Sequence, residues 1–474
     1  MAALSEYERK RLENIKANEE LLRSLEIPVL ATTKRKATSS PSNSSIKKHT
    51  PKQIKKEPRM PTRSSARLRG KSPEKQIESD IVSLETKQPK TIDALNEIDK
   101  KKLVDIMKDA LRDVPNTQVK KDRIKTEKGE QSDQILKSQL EHLKIQHEWA
   151  TVKVTPNRIT ADLFHPSVAK LLACAVDTEG YLGIWDVNAK EEETEDPVVY
   201  QYKPHTRNIT DLHFNPSDNS KLLTSSYDGL LRVYDMNKAE FMTMNLGGET
   251  YPITCFDITQ TGNIIWFSTS DGEVGVVDSR TGDTPLIHAP KEKKIGCLHL
   301  NPVDQNLLAL ASNDRTTTIW DIRMWNKRKR EVGEPLQSIE HGYSVTSAYW
   351  SPNGDILATA SYDDYIRLFD LNKNNKTVEL KSAIKHNNHT GRWVTNFRAR
   401  WNTNQVNGLD VQHLIIGNMN QTVDIYSGET GEEIIQFYDS EHITAIPSVC
   451  QFHPMTSNPI ILTGNASGRM VCWS

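Results

Sequence analysis

The sequence predicts an all-β fold, a seven-bladed propeller, joined to a helical and largely disordered basic N-terminal extension. Three observations carry that expectation. A short β-rich unit recurs through the C-terminal part of the chain, its period matches one four-stranded blade, and the last copy stops one strand short.

The repeat is visible toward the end of each unit, where an apolar run closes on aromatic-Asp or a relative of it. The copies are Ile184-Trp185-Asp186, Val233-Tyr234-Asp235, Val276-Val277-Asp278, Ile319-Trp320-Asp321, Leu368-Phe369-Asp370, Ile425-Tyr426-Ser427 and Cys472-Trp473-Ser474. Their middle residues stand 49, 43, 43, 49, 57 and 47 apart. A second mark precedes most copies, as in Phe164-His165-Pro166, Phe214-Asn215-Pro216, Leu300-Asn301-Pro302, Trp350-Ser351-Pro352 and Phe452-His453-Pro454. Turn pairs such as Asp228-Gly229, Asp271-Gly272, Asn353-Gly354 and Ser467-Gly468 punctuate the strands. Seven such units at this period describe a seven-bladed WD40 β-propeller.

The last copy ends on its third strand, Met470–Trp473, so its outer strand must come from ahead of the first repeat. Residues 149–154, Trp-Ala-Thr-Val-Lys-Val, have the composition for it, and pairing the two ends removes an open sheet edge. The propeller therefore spans 146–474.

The preceding residues differ in texture. Residues 4–26 place Leu4, Leu12, Ile15, Leu22 and Leu25 on a partly apolar helical face that Pro28 ends. Residues 27–90 are rich in Ser, Thr, Pro and Lys and too poor in apolar side chains to offset their ordering entropy, which predicts disorder. Residues 91–145 form a charged segment with a helical pattern over 91–112 and a short amphipathic piece ending near His147. Charge is split accordingly. Residues 1–145 hold 33 Lys/Arg against 22 Asp/Glu, and the remainder holds 28 against 40. Within 34–75, 14 basic residues face only Glu57 and Glu74. This tail, including Lys34, Arg35 and Lys36, reads as a nuclear-localisation signal, a non-specific nucleic-acid arm, or both. Ser40, Thr50 and Ser72, each followed by Pro, could take phosphate and weaken that charge.

Several classes are excluded. No apolar run approaches the roughly 18–20 residues that span a bilayer, and the polar start MAALSEYERK has no signal-peptide core. The five cysteines are widely spaced without a CxxC, which argues against a disulfide framework or structural zinc. A phosphate-binding Gly-rich loop, GxSxG and HExxH are all absent, so the chain is expected to be no enzyme and to use no cofactor or small-molecule substrate. His386 and His389 stand at ligand spacing with no further ligand nearby, so no metal site is expected.

The connections leading into each blade's first strand are more informative, because in a propeller they share one rim. They carry Arg158, Arg207, Lys293, Lys294, Tyr343 and the pair Arg392-Trp393. Basic residues gathered at one mouth of an otherwise acidic body suit a phosphate backbone, though solvated loop charge is the plain alternative. The connection 385–394 also projects His386 and His389, and Gly391 can supply a turn closed to other residues. As a protruding hairpin with Arg392 and Trp393 it is equipped to wedge into a base stack or grip a displaced strand, the plain alternative being that Trp393 packs against a neighbouring blade. On the opposite rim Asp321 and Arg323 end a third strand, a spacing repeated by Asp278 and Arg280, and a surface ion pair explains both.

The helix Glu8–Lys16 with Asn18–Leu22, the element Arg63-Ser-Ser-Ala-Arg-Leu-Arg-Gly70, and His389-Thr-Gly-Arg-Trp393 ahead of Phe397-Arg-Ala-Arg-Trp401 resemble the fungal WD-repeat DNA damage-binding proteins. That family is related to the small subunit of the UV-damaged DNA-binding complex. The resemblance implies a nuclear protein that binds double- and single-stranded DNA, prefers UV-damaged duplex and acts in DNA metabolism or repair. It implies basic DNA contacts at Arg158 and Lys294, adds Arg398 to the contact set, and aligns Gly391, Arg392 and Trp393 with the relative's lesion-probing hairpin, whose tip is aromatic-amide-imidazole instead. It also matches Asp321 and Arg323 to a docking motif for the adaptor of a cullin-RING ligase. The competing reading is a protein-interaction scaffold, either a ligase substrate receptor or a chromatin adaptor binding histones, because a propeller hosts both functions.

Overall fold

The computed structural model describes residues 97–112, 129–145, 150–190, 196–246, 251–281, 283–325, 330, 332–404 and 412–474, all within one compact unit, Leu84–Ser474. The expected helix 4–26, the segment 27–90 with Lys34, Arg35 and Lys36, and Trp149 lie outside these residues.

Seven antiparallel four-stranded sheets are arranged as blades of a propeller. Blade 1 contains β2 (Ile159–Phe164), β3 (Leu172–Asp177), β4 (Leu182–Lys190) and β5 (Pro197–Tyr202). Blade 2 contains β6 (Ile209–Asn215) to β9 (Glu240–Thr243), blade 3 β10 (Ile253–Ile258) to β13 (Leu286–His288), and blade 4 β14 (Ile295–Leu300) to β17 (Gln337–Glu340). Blade 5 runs from β18 (Val345–Trp350) to β21 (Thr377–Lys385), and blade 6 from β22 (Arg400–Trp401) to β25 (Glu433–Phe437). The repeated mark lies on each third strand, and its ring, where it has one, packs between blades; Trp185, Tyr234, Trp320 and Phe369 are all buried.

Blade 7 shows how the ring closes. Its strands β26 (Pro447–Phe452), β27 (Ile461–Asn465) and β28 (Arg469–Trp473) take β1 (Val152–Lys153) as their outer edge. The strand expected over 149–154 is thus only two residues long, pairing Val152 with Met470 and Lys153 with Arg469. A second short stretch upstream completes the edge. Ile145 bridges Trp473, and Lys144 and Ser474 exchange both backbone hydrogen bonds at 3.3 and 3.1 Å. Between the two stretches Ala150 adopts a positive φ of 47°, a left-handed position that breaks a continuous strand.

Two helices lie against the outside of the ring. Helix α1 (Glu97–Arg112) places Leu103, Met107 and Ala110 on one face, fully buried against Tyr202, Tyr234 and Met236 of blades 1 and 2. Helix α2 (Gly129–Leu140) buries Leu136 and Leu140 against Ile434, Phe437 and Trp473. Each fully buried aliphatic side chain contributes roughly 1.5–3 kcal/mol, so these helices are part of the propeller's packing. Among the described residues no helix is long and apolar enough to cross a membrane.

The innermost strands share one irregularity that sets the channel lining. In blades 1 to 5 and 7 the pairing with the second strand slips after its first residue, as between Ile159 and Ala161 or Ile209 and Asp211. A bulge of this kind re-aims the side chain at the slipped position. There Thr160, Thr210 and Thr254 donate across to the Ile209, Ile253 and Ile295 carbonyls of the next blade at 2.5, 3.2 and 2.5 Å.

Candidate nucleic-acid interface

The strand order puts every connection into a first strand on one rim, together with the turns between second and third strands. At the centre of this rim the channel opens as a cavity of about 380 Å³. Arg158, Lys294, Arg392 and Arg398 line it with Tyr227, Tyr362, Asn208, Asn313 and Asn396, and among the described residues no Asp or Glu does so. Arg207, Lys293, Tyr343, His389 and Trp393 are exposed on the same rim outside the cavity. The structure therefore gathers four of the sequence-selected residues in one site and arranges five around it.

His386 is the exception. It is 3 % exposed, donates from Nδ1 to Asn388 Oδ1 at 2.8 Å, and has Nε2 3.4 Å from the Asp424 carboxylate. Its position explains this. His205 and His341 stand at the same place, just past the fourth strand, and both bond a buried threonine at Nε2: Thr224 at 2.9 Å and Thr317 at 3.0 Å. His386 is a blade histidine, unable to reach a ligand on the rim.

The 386–399 connection is also not a hairpin. Asn388 is buried and donates to the Ser361 and Tyr365 carbonyls at 3.1 and 3.2 Å, which pins the start of the segment. A turn from Gly391 to Val394 then carries Trp393, 77 % exposed, at its tip with the Arg392 guanidinium 5.6 Å from the ring centroid. Gly391 does not have a positive φ, and a Cβ added there would meet nothing, so the backbone freedom expected of it is not required. Instead of standing free, the segment crosses the mouth to blade 1. Arg158 Nη1 donates to the Arg392 carbonyl at 2.9 Å, and Thr395 Oγ1 to the Ile159 carbonyl at 2.5 Å.

Below the cavity the channel is bridged. Asp211 of blade 2 meets Arg398 at 3.5 Å and Arg400 at 3.4 Å from blade 6, with His213 at 3.7 Å. Burial pushes the Asp211 carboxyl up, but the charges of His213, Arg400 and Arg398 outweigh it and hold the group well below the usual carboxylate range. Arg398 thus sits at the floor of the cavity as half of an ion pair rather than on the open rim.

The pairing of basic residues differs between the two rims. Among the described residues, Arg158, Arg207, Lys293, Lys294 and Arg392 on the mouth rim have no carboxylate partner. Lys294 instead bonds the Tyr227 hydroxyl, with its ammonium 5.2 Å from the ring centroid. Lys291, Arg367 and Arg330 are paired there, with Asp314, Asp363 and Glu273. On the opposite rim Lys170, Lys221, Arg280, Arg323, Lys373 and Lys376 are each paired, and Lys238 is an exposed exception. Arg323 forks onto Asp321 through Nε and Nη2, and the same fork joins Arg280 to Asp278. The Arg323 guanidinium holds the Asp321 carboxyl at about 2.

Sequence reasoning missed Tyr227 and Tyr362. The signal was present, because Ser226-Tyr227-Asp228 and Ser361-Tyr362-Asp363 are the same tripeptide in the same turn of blades 2 and 5. Tyr362 donates to Asn396 Oδ1 at 2.6 Å and packs edge-on to His389 at 5.7 Å, so it supports the crossing segment. Among the described residues no group of three or more His, Cys, Asp or Glu could hold a metal ion, and all five cysteines are buried and free.

The WD domain, G-beta repeat family model matches residues 197–235 and 333–370. The chain is 34% identical over 520 aligned residues to "DNA damage-binding protein CMR1" of Phaeosphaeria nodorum, covering 99% of this chain and 98% of that protein. It is 33% identical to the protein of that name in Scheffersomyces stipitis, over 99% of each chain. The Neurospora crassa relative is 32% identical over 99% of this chain and 98% of its own. The chain belongs to the CMR1 family. Similarity over the full length of these relatives includes the basic N-terminal residues as well as the propeller, as the resemblance of the three motifs led us to expect.

Proposed function

We propose that this chain is a non-catalytic, nuclear DNA-binding protein of the damage response, with DNA held on the mouth rim of the propeller. The observation that supports this most directly is that Arg158, Arg207, Lys293, Lys294 and Arg392 there have, among the described residues, no carboxylate partner, whereas Lys170, Lys221, Arg280, Arg323, Lys373 and Lys376 on the opposite rim are each paired. A cation without a carboxylate neighbour keeps its charge available to a phosphate. Arg158, Arg207, Lys293, Lys294 and Arg392 would meet the backbone. Tyr343, 57 % exposed, and Trp393 would stack unpaired bases, which supports single-strand binding. In a damaged duplex, where stacking is already weakened, Trp393 beside Arg392 would insert at the lesion. The names borne by the relatives agree with this reading.

The test is anisotropy of the full chain and of residues 84–474 on one duplex with and without a UV lesion, across a salt series. Binding by 84–474 with a preference for the lesion supports the rim. Binding by the full chain alone, indifferent to the lesion and steep in salt, assigns the contact to the tail. A fragment beginning at 146 would be unsuitable, since it strips α1 and α2 and uncovers their apolar seats.

A second reading concerns the opposite rim. Met324 is 79 % and Val303 64 % exposed beside the Asp321–Arg323 pair. Apolar side chains flanking a fixed charge suit protein docking, such as to the adaptor of a cullin-RING ligase or to a chromatin protein. Arg323→Ala should then weaken partner capture and leave DNA affinity unchanged.

A further inference from the structure

We infer that the mouth cavity is a seat for the terminal phosphate of a nucleic-acid strand, so that the protein distinguishes phosphorylated ends from hydroxyl ends and from uninterrupted backbone. This rests on the DNA-binding reading above and names what the cavity itself takes.

Three features lead there. The first is charge. Arg158, Lys294 and Arg392 line the cavity without a carboxylate partner, and Arg398 forms part of its floor. The second is an unused donor. Arg158 is held in place by Nη1 on the Arg392 carbonyl, while its Nε is shielded from solvent and has no hydrogen-bond partner. A buried donor left unpaired is costly unless a ligand completes it. The third is shape. The channel is blocked beneath by the contacts of Asp211 with Arg398 and Arg400, and the segment carrying Thr395 crosses above to Ile159. A strand cannot thread a blind cavity, and 380 Å³ holds about one nucleotide.

An internal phosphodiester carries one negative charge and a sugar on both sides, so reaching the floor would require a sharp fold of the strand. A terminal monoester has a free end and carries −1.5 to −2 charges near neutral pH, with a second pKa of about 6. Its three oxygens match a site of several cationic donors better than a single diester does. Tyr227 and Tyr362 at the cavity wall are placed to meet the attached nucleoside.

The experiment uses the full chain and one oligonucleotide sequence in 5′-phosphate, 3′-phosphate and hydroxyl-ended forms, with a covalently closed dumbbell lacking ends. Competition anisotropy is read as a ratio of affinities within each protein variant, so partial unfolding cannot imitate a loss of preference. The expected result is a preference of about tenfold for one phosphorylated end, fading as pH falls through about 6. It should be abolished in Arg158→Gln/Lys294→Gln. Arg207→Gln, outside the cavity, should lower all affinities together and keep the ratio. Equal binding of phosphate and hydroxyl ends, or a preference that survives the double substitution, overturns the inference and leaves the DNA reading intact if the dumbbell binds. Failure of every DNA to bind overturns both.

Discussion

Arg158 and Arg392 meet across the channel mouth, the guanidinium of the first donating to the backbone carbonyl of the second at 2.9 Å across 234 residues of sequence. By sequence position the two are separate cationic contacts on one rim, but in the fold they form a single device. Arg158 fixes the segment that presents Arg392 and Trp393, and the segment fixes the side chain of Arg158.

Arg158→Ala should therefore do two things at once. It should reduce DNA affinity about five- to tenfold through lost charge, and it should speed amide exchange of residues 392–395 in the free protein. Arg207→Ala should cost affinity without changing that exchange. Identical exchange in Arg158→Ala and the parent chain would show that the bond does not order the segment.

Salt dependence separates charge from stacking. Each of Arg207→Gln and Lys293→Gln should lower the slope of log affinity against log salt by roughly 1 if its side chain neutralises a phosphate. Trp393→Ala should leave that slope unchanged and weaken single-strand binding by about 1–3 kcal/mol. With its ring 77 % exposed, the substitution should not alter thermal stability.

His386→Ala should behave in the opposite way. Asp424 is buried with His386 3.4 Å away; burial pushes its carboxyl up, and the His386 imidazole with the hydrogen bonds from Asn418 and Thr422 outweighs that. Removing the imidazole should destabilise the protein by about 1–3 kcal/mol in chemical denaturation. Native protein, once folded, should retain its DNA affinity. A stable variant with lost DNA binding would return His386 to the interface.

Asp162 gives a pH-dependent prediction. Burial raises its pKa to about 7, with the Arg400 charge opposing only in part, and its Oδ2 has no hydrogen-bond partner. The folded pKa lies above the unfolded value of about 3.9, so the native state binds more protons between the two. This group's contribution to stability must fall as pH rises from about 4 to 7 and then level off. Asp162→Asn removes the decline. Its melting temperature should exceed the parent's at pH 8, by no more than about 4 kcal/mol in free energy, and converge with it near pH 4.

Asp211 should be far less tolerant. Asp211→Asn leaves Arg398 and Arg400 facing one another in the channel without a counter-charge, and breaking a buried pair from one side costs roughly 3–5 kcal/mol. Asp211→Asn combined with Arg400→Met should recover part of the loss, measured as a double-mutant cycle.

The sequence by itself determined the blade count, the closure of the last blade by residues ahead of the first repeat, and the rim to which the blade-entry connections belong. These follow from local periodicity: a recurring apolar-acidic mark every 43 to 57 residues, and strand direction alternating within each blade. Local pattern also carried Arg158, Lys294 and Arg392 to one mouth, because every blade enters its first strand from the same side. The repeated Ser-Tyr-Asp turns and the histidine after the fourth strand were equally legible, but only by comparing blades with each other. What tertiary structure alone decided was depth and pairing. The burial of His386, the descent of Arg398 to Asp211, the crossing of residues 391–395 to blade 1, and the seating of α1 and α2 all depend on contacts between residues far apart in sequence. Such contacts carry no period, and a charge is free or spent according to a neighbour that the chain brings from another blade.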